Sequence, residues 1–273
     1  MTTPISDQAT ASCVLFERRG AVALITLNRP AALNSFDEAL RRQFTAALQR
    51  AAVDTAVRAV VLAASGRAFC AGADLKAMMA ATENSGTSVA EEVRHQLAEE
   101  YGPGIRAIVE MPKTVIAAVD GLVAGIGCAY VLACDLAIMA DDAYFTLPFH
   151  NIGLVPDGGL SWLLERQIGA RRAYELAAEC SPVSASRCAE LGLVNRVVAK
   201  GAACSAALQW AERLALRPQL ALSQTKRLLR QAPGLSFAQS LDSEIDSQAI
   251  CLASADFHEG VAAFLGKREP TFN

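Results

Sequence analysis

Short apolar runs separated by polar or helical segments mark the first half of the chain, and each run has the length of a strand. The first two runs flank a polar turn and therefore predict an opening β-hairpin. The later runs are joined by segments long enough for helices, which favours a parallel sheet with crossover connections. The predicted strands lie at 13–16, 21–27, 59–63, 114–119 and 136–139.

Apolar residues recur at helical spacing between these runs. Ser35, followed three residues later by Glu38, has the form of a capping box and predicts a helix over 36–53. A second helical region is predicted over 89–110, with an interruption at the Gly-Pro-Gly sequence of 102–104. These helices would supply the crossovers between parallel strands.

From Gly158 onward the pattern is mainly helical. Ser184 is a plausible N-cap, and one short strand is predicted at 193–198. Prolines and glycines separate the last helices, which are predicted near 203–216, 218–231, 236–252 and 255–265. We therefore expect a core over residues 1–200, which would hold the functional site, and a C-terminal helical region over 201–273.

Composition narrows the possible partners. With 273 residues and 52% hydrophobic content, the chain can bury the core of one large domain. A formal charge of −3 disfavours nucleic acid, whose binding depends on clustered Lys and Arg. The start has no basic segment followed by an apolar one, so a cytoplasmic protein is expected. The apolar stretch 115–140 contains Asp120 and Asp135, so we interpret it as strand, turn, helix and strand rather than a membrane span.

Cysteine and histidine patterns give no sign of a disulfide framework or a metal site. The eight Cys form no C-x-x-C pair and lie largely in apolar or helical contexts, which favours buried free thiols. The three His are far apart and lack a second ligand type at metal spacing. We expect no metal.

Two glycine-rich segments, 66–76 and 120–128, each follow a predicted buried strand, and a short helix is predicted to begin near Ile126. Glycine lets the main chain approach a ligand closely, and a helix start directs unpaired NH groups towards it. Either segment alone is adequately explained by tight turns and close packing. Together they predict a site for an anionic oxygen.

The order of these motifs resembles the crotonase superfamily, the enoyl-CoA hydratase and isomerase family. The resemblance implies an α/β fold built as a spiral of ββα units, with a C-terminal helical region that forms a homotrimer or a hexamer (dimer of trimers). It also implies an acyl-CoA thioester substrate, with coenzyme A as part of the substrate and no separate cofactor. The matching segments are 27–34, 68–75, 112–121, 125–128, 134–135, 153–159, 189–194 and 264–270.

The resemblance also implies where the substrate binds. The backbone NH groups of Ala73 and Ile126 would form an oxyanion hole for the thioester oxygen, whose negative charge grows as an enolate forms. The adenine and phosphate end of coenzyme A is expected against Ala32, Leu33, Ala71 and Lys76, with Lys267 reaching phosphate from a neighbouring subunit. Both lysines also fit ordinary solvated charges.

The sequence departs from the family at the two catalytic glutamates of typical hydratases. Those positions fall on Ala129 and Phe149, neither of which can transfer a proton. Asp157 remains, at a position where an aspartate carries catalysis in similar isomerases. We expect it to take a proton from the γ carbon of a 3-enoyl-CoA and return it at the α carbon. Burial among Phe149, Leu160 and Trp162 would raise its pKa.

Several alternatives stay open at this point. Asp157 also suits a helix N-cap, and the adjacent pair Phe149 and His150 is expected at the substrate, with His150 as a rival base. Asp157 could instead serve a hydratase, hydrolase or dehalogenase-like enzyme, as water activator or nucleophile, or the chain could bind acyl-CoA without catalysis. Glu91 and His95, on the helical segment before 102, fit either the acyl pocket or an exposed surface, and the surface is favoured.

Overall fold

The computed structural model describes residues 12–86 and 88–272. Its strands are β1 (Val14–Arg19), β2 (Val22–Leu27), β3 (Ala59–Ala64), β4 (Ala68–Cys70), β5 (Thr114–Val119), β6 (Leu122–Ala124), β7 (Leu136–Ala140), β8 (Tyr144–Thr146), β9 (Val183–Ser184) and β10 (Arg196–Val198). Its helices are α1 (Glu38–Val53), α2 (Leu75–Ser85), α3 (Val89–His95), α4 (Gly102–Glu110), α5 (Ile126–Ala133), α6 (Leu160–Ile168), α7 (Ala170–Glu179), α8 (Ala185–Leu191), α9 (Ala203–Ala215), α10 (Gln219–Gln231), α11 (Phe237–Leu252) and α12 (Ala255–Leu265).

The strands form two sheets, and from β3 to β8 the chain alternates between them. The larger has the order β1-β2-β3-β5-β7-β10 and is parallel except for the β1–β2 hairpin. The smaller has the order β4-β6-β8-β9. Three times in succession, a strand of the larger sheet is followed by a short strand of the smaller sheet and then a helix. This repetition confirms the α/β fold class and the ββα spiral.

The central strands are apolar throughout because both faces of the larger sheet are covered. Alternate residues of β2 pack on opposite sides: Ala23 and Ile25 join the main core, while Val22 and Leu24 join the core on the other face. On that second face lies α9, which presents an alanine every fourth residue, at positions 203, 207, 211 and 215, all nearly inaccessible. Small side chains at this spacing let the helix lie close to the sheet.

The predicted start of the first helix is wrong. α1 begins at Glu38, and its N-cap is Asp37, whose Oδ1 accepts a hydrogen bond from the Leu40 NH at 2.8 Å. Phe36 cannot be helical because it forms a parallel bridge with Ala73. Extended pairing of residue 36 therefore moves the cap from Ser35 to position 37.

The predicted interruption at 102–104 is also wrong. Helical structure continues from α3 through a π-helical segment, Gln96–Tyr101, directly into α4. Pro103 lies in the first turn of α4, directly after the π-helical segment. The irregularity therefore precedes the glycine and proline, and it takes the form of a wider helical turn.

The last four helices lie where the sequence predicts them, and Ser184 is the N-cap of α8. The predicted strand 193–198 is shortened to Arg196–Val198. α10 is fastened to the core through Lys226, whose Nζ donates to Ile108 O and to Asp135 Oδ2, both at 2.8 Å. The division at residue 200 stays a prediction, as does the assembly into trimers.

Residues 115–140 form β5, β6, α5 and β7, which confirms the two predicted strands and the helix between them. The predicted turn was incomplete, because it also contains the short strand β6. Across residues 12–86 and 88–272, none of the helices combines the length and apolar character needed to cross a membrane. Cys70, Cys128, Cys134 and Cys188 are buried free thiols, as predicted. The prediction of burial was wrong for Cys180, Cys204 and Cys251, which are partly exposed.

Candidate active site

A cavity of about 120 Å³ lies between the first turn of α5, the region before α2 and the π-helical segment. We divide its lining into three walls. The backbone wall comprises Ala71, Gly72, Ala73, Gly125 and Ile126; the helical wall comprises Leu75, Met78, Val93, Gln96, Leu97 and Tyr101; and the acid wall comprises Pro148, Phe149, Ile152, Leu154 and Asp157. Five of the residues predicted at the substrate are therefore together in one cavity: Ala71, Ala73, Ile126, Phe149 and Asp157.

The backbone wall is made where two glycine turns touch. Gly72 has φ +103° and Gly125 has φ +53°, conformations that residues with a side chain rarely adopt. A Cβ placed on Gly125 would lie 3.5 Å from Gly72 Cα, so nothing separates the two main chains. The next residue of each turn is Ala73 or Ile126, and both of these residues line the cavity.

Both NH groups are available to a ligand. Within the described residues, neither the Ala73 NH nor the Ile126 NH has a hydrogen-bond partner, whereas the neighbouring Asp74 NH donates to Phe36 O at 3.1 Å. Ile126 is the first residue of α5, and a helix start has no carbonyl one turn earlier to accept its NH. Two unpaired donors beside one cavity have the character of an oxyanion hole.

The Ala73 turn is held by bonds on either side of it. Phe36 NH donates to Gly72 O at 2.8 Å, and Asp74 caps α2 by accepting from the Ala77 NH at 3.2 Å. Arg29 lies 3.3 Å from the Asp74 carboxylate. Burial opposes ionisation of Asp74, but the bonds from Ala77 NH and Arg29 outweigh it and lower its pKa. Asp74 thus stays charged and keeps α2 anchored beside the hole.

Asn34 holds in place the turn at Leu33, which lies next to Ala71. It is fully buried, and its Nδ2 donates to Ser65 O at 2.9 Å and to Ala68 O at 2.8 Å. These bonds support the left-handed turn at Leu33, whose carbonyl accepts the Ala71 NH at 3.0 Å. Leu33, predicted to contact coenzyme A, therefore lies directly beside the cavity without lining it.

A buried thiol, not singled out in the sequence, braces the same wall. Cys70 Sγ accepts the Gly72 NH at 3.3 Å. A Cβ on Gly127 would lie 2.7 Å from Cys70 Cβ, so Cys70 also packs against the first turn of α5. Burial raises the pKa of Cys70 to about 12, which makes it an unreactive packing group.

Asp157 belongs to the acid wall, and one oxygen of its carboxylate, Oδ1, is buried without a hydrogen-bond partner in the described residues. Burial raises the pKa of Asp157 to about 6, against the effect of a bond from its own NH. A Cβ on the adjacent Gly158 would lie 2.4 Å from Ile126 Cδ1, so this loop rests on α5 next to the proposed hole.

The structure removes two alternatives. Asp157 is not a side-chain N-cap, because α6 begins at Leu160 after Gly159 and has no side-chain capping bond. His150 is exposed in a short 3-10 turn and does not line the cavity. Trp162 is a further correction: it is 45% exposed and stacks on Arg166, so it does not line the cavity beside Asp157 as predicted.

The other predicted binding residues lie outside the cavity. Ala32 ends a short 3-10 turn, Lys76 is exposed in the first turn of α2, and Lys267 is exposed just beyond α12. Nothing in the described residues brings Lys267 to this cavity within one chain. Contact of Ala32, Leu33, Lys76 and Lys267 with coenzyme A stays a prediction.

The helical wall contains the residues that sequence reasoning missed. Gln96 and Tyr101, both 3% exposed, come from the π-helical segment. Tyr101 Oη donates to Phe36 O at 3.3 Å. Glu91 and His95, named in the sequence for the same region, are exposed. The only available signal was the apolar Val93 and Leu97 pattern, which marks the inner face but says nothing about a wider turn.

A larger groove, of about 1060 Å³, lies between α10, α11 and α12 and shares no residue with the cavity. Apolar side chains such as Leu241, Ile245 and Phe264 line it, and Phe264 is 82% exposed. In the described part of the chain, the groove has no counterpart of the two touching glycine turns and their unpaired main-chain donors. The smaller cavity is therefore the better candidate for chemistry.

Comparison with known proteins agrees with this geometry. The model of the family described as Enoyl-CoA hydratase/isomerase matches residues 17–273. The 1,2-epoxyphenylacetyl-CoA isomerase of Escherichia coli (strain K12) is 37% identical over 92% of this chain and 94% of its own, and the 2,3-dehydroadipyl-CoA hydratase of the same organism is 33% identical over 95% and 98%. A crystal structure of an enoyl-CoA hydratase from Polaromonas sp. JS666 is similar, with a TM-score of 0.89, 36% identity and coverage of 95% of this chain and 99% of that one. The chain belongs to the enoyl-CoA hydratase/isomerase family, whose enzymes act on coenzyme A thioesters.

Proposed function

We propose that this enzyme moves a carbon–carbon double bond within an acyl-CoA thioester, converting 3-enoyl-CoA to 2-enoyl-CoA or carrying out a related ring isomerisation. The observation that carries the proposal is that Asp157, whose buried Oδ1 has no hydrogen-bond partner, lines the same cavity as Ala73 and Ile126, whose NH groups are unpaired within the described residues. A base and an oxyanion hole are the two parts that enolate chemistry needs.

The proposed reaction needs one base. The thioester oxygen accepts hydrogen bonds from Ala73 and Ile126, which makes the α hydrogens more acidic and stabilises the dienolate. Asp157 takes a proton from the α carbon and returns it at the γ carbon, so that the double bond moves into conjugation and no atom is gained or lost. The direction predicted from the sequence, from γ to α, was wrong for this substrate: the γ hydrogen of a 3-enoyl group is vinylic and not acidic.

The environment of Asp157 suits this role. A carboxylate with a pKa of about 6 is mostly ionised at neutral pH and can start as the base. The same burial stabilises the protonated form, which can then give up the proton at the γ carbon. The neighbouring Phe149 is 7% exposed and apolar, so it limits water around the carboxylate.

Hydration is the second candidate, because several similar proteins are named hydratases. In that reaction Asp157 would activate water. The residues at the two glutamate positions weigh against it: Ala129 is fully buried and Phe149 lines the cavity, so the described cavity lining offers a single carboxylate. Water addition normally divides its proton transfers between two groups.

Replacement of Asp157 by Asn is the direct test. Conversion of 3-enoyl-CoA to the conjugated 2-enoyl-CoA, followed by ultraviolet absorbance, should fall by about 10²–10⁴-fold in D157N, because the variant has no base. Asp141→Asn, at an exposed turn after β7, is the matched control and should keep wild-type turnover. Undiminished turnover in D157N would exclude Asp157 from the mechanism.

Labelled solvent separates the two candidate reactions. In water enriched in heavy oxygen, isomerisation incorporates no solvent oxygen, whereas hydration places it in the product. Both reactions consume the substrate: isomerisation yields the conjugated 2-enoyl-CoA, and hydration yields a hydroxyacyl-CoA. Binding of acyl-CoA with no product and no exchange of α or γ hydrogens into heavy water would instead indicate a protein that binds thioesters without turning them over.

A further inference from the structure

Gln96 differs from the other buried polar side chains of the described residues. Asn34, Arg41 and Ser247 each contact two or more partners, whereas the Gln96 side chain makes one hydrogen bond, from Nε2 to Glu92 Oε1 at 2.7 Å. Gln96 is nevertheless 3% exposed and lines the cavity. A buried polar group with unmet hydrogen-bonding capacity calls for a partner that the chain itself does not supply.

The single bond fixes which atom is left over. The Gln96 amide nitrogen donates to the Glu92 carboxylate, so the amide oxygen points away from Glu92. No group in the described residues donates to Gln96 Oε1, and this atom is not among the fully enclosed ones. Gln96, which lines the cavity, therefore keeps an unused hydrogen-bond acceptor.

The surroundings of this acceptor are apolar. Met78, Val93, Leu97 and Leu154 complete the space beside Gln96. Among such apolar side chains a single polar group fixes the orientation of a ligand, and a charged ligand group would lose its hydration there. The matching ligand feature is an uncharged donor, of which a hydroxyl is the simplest.

The π-helical segment explains how a glutamine comes to be there. A π turn places one extra residue in the helix and changes which side chains face inward, and such turns are frequent at functional sites. Gln96 and Tyr101 are the two ends of this segment, and both face the cavity. The irregular turn therefore adds the amide of Gln96 to a wall whose other members are mainly apolar.

We propose that the enzyme is selective for acyl groups that carry a hydroxyl beyond the β carbon, with Gln96 Oε1 accepting the hydrogen bond from that hydroxyl. This inference rests on the proposed function only in that it places the acyl group in the same cavity. It adds a substrate class: hydroxylated enoyl thioesters are processed in preference to their unsubstituted counterparts. Gln96 is then a specificity-determining residue and takes no part in the proton transfer.

The test uses saturated acyl-CoA thioesters, which bind but cannot isomerise. One set has a single chain length, with no hydroxyl or with one hydroxyl at successive carbons beyond the β carbon. Calorimetry on the whole wild-type protein should give a dissociation constant on the order of tenfold lower for one hydroxylated isomer than for the plain thioester. In Gln96→Met, which keeps the side-chain length, this ratio should fall towards one.

Gln49→Met, on the exposed face of α1, is the matched control and should keep the wild-type ratio. The proposal is overturned if wild type prefers none of the hydroxylated isomers, or if Gln96→Met keeps the preference. Gln96→Leu replaces Gln96→Met if the latter does not fold. Because the ligands are inert, a protein with no isomerase activity can still pass this test, so failure of the proposed function and failure of the Gln96 inference remain distinguishable.

Discussion

The backbone wall and the helical wall meet at one cavity but are built from different parts of the chain. On the backbone wall, the useful groups are main-chain amides, and glycines at positions 72 and 125 make their placement possible. On the helical wall, the useful groups are side chains such as Gln96 and Leu97, placed by a π turn. We infer from this difference that the backbone wall serves the chemistry common to thioesters, and that the helical wall selects the acyl group.

The largest predicted effect comes from breaking the backbone wall at Gly125. Its φ of +53° and ψ of −126° correspond to the first central position of a type II′ turn, which favours glycine strongly. In Gly125→Ala the turn must change, which moves the Ile126 NH away from the thioester oxygen. We expect kcat to fall by about 10²–10³-fold, the cost of losing one oxyanion donor.

Gly153→Ala is the control for backbone strain alone. Gly153 also has positive φ, at +72°, but a Cβ there would meet nothing within 4 Å. This variant should lose roughly 1 kcal/mol of stability and little activity. Comparable kcat values for Gly125→Ala and wild type, measured on folded protein, would mean that the Ile126 NH does not act on the substrate.

A second prediction concerns the effect of Asp157, in the acid wall, on the stability of the protein. Its folded pKa of about 6 lies above the ordinary 3.8, so the folded state binds the proton more tightly than the unfolded state. The free energy of unfolding should therefore decrease as pH rises from about 4 to about 6. The neutral D157N should escape this loss and be more stable than wild type by up to about 3 kcal/mol at neutral pH.

Urea unfolding of wild type and D157N at a series of pH values measures this difference. The advantage of the variant should shrink as pH falls and disappear below about pH 3, where Asp157 is protonated in both states. An advantage that is constant with pH would show that the substitution acts through packing rather than charge. The same pair of proteins thus tests whether the carboxylate proposed as the base lowers the stability of the fold.

The smallest predicted effect concerns the helical wall. In Leu97→Ala the cavity gains space, so longer acyl groups should improve relative to shorter ones, by about tenfold in kcat/KM. The change in kcat for the preferred substrate should be much smaller, because the amide donors are untouched. Val53→Ala, at the exposed end of α1, is the control. A large fall in kcat without a change of chain-length preference would contradict the division between the walls.

Most elements could be predicted from the sequence because their signals are local. Pro218 and Pro233-Gly234 separate the C-terminal helices, and uniformly apolar runs mark β3 and β5. The start of α1 could not be predicted from such signals. Ser35 and Asp37 are both good caps, and the choice depends on the pairing of Phe36 with Ala73, which lies far along the chain.

The site could be predicted only where a motif carries it. The segments around Ala73 and Ile126 are recognisable because glycines are required there. Gln96 and Cys70 carry no such mark: a glutamine in a helical pattern normally indicates the exposed face, and a cysteine in an apolar strand normally indicates core. Their positions beside the cavity depend on the π turn and on the contact with α5, which no local pattern encodes.

The contact between the turns of Gly72 and Gly125 has a consequence for how this scaffold can diverge. The groups it presents are amides, which every amino acid except proline supplies, so residues 73 and 126 are free to vary in descendants while the donors persist. Novel reactions can then arise by relocating one carboxylate, and novel substrates by altering one helix. On such a framework, the reaction and the substrate preference can change through separate mutations.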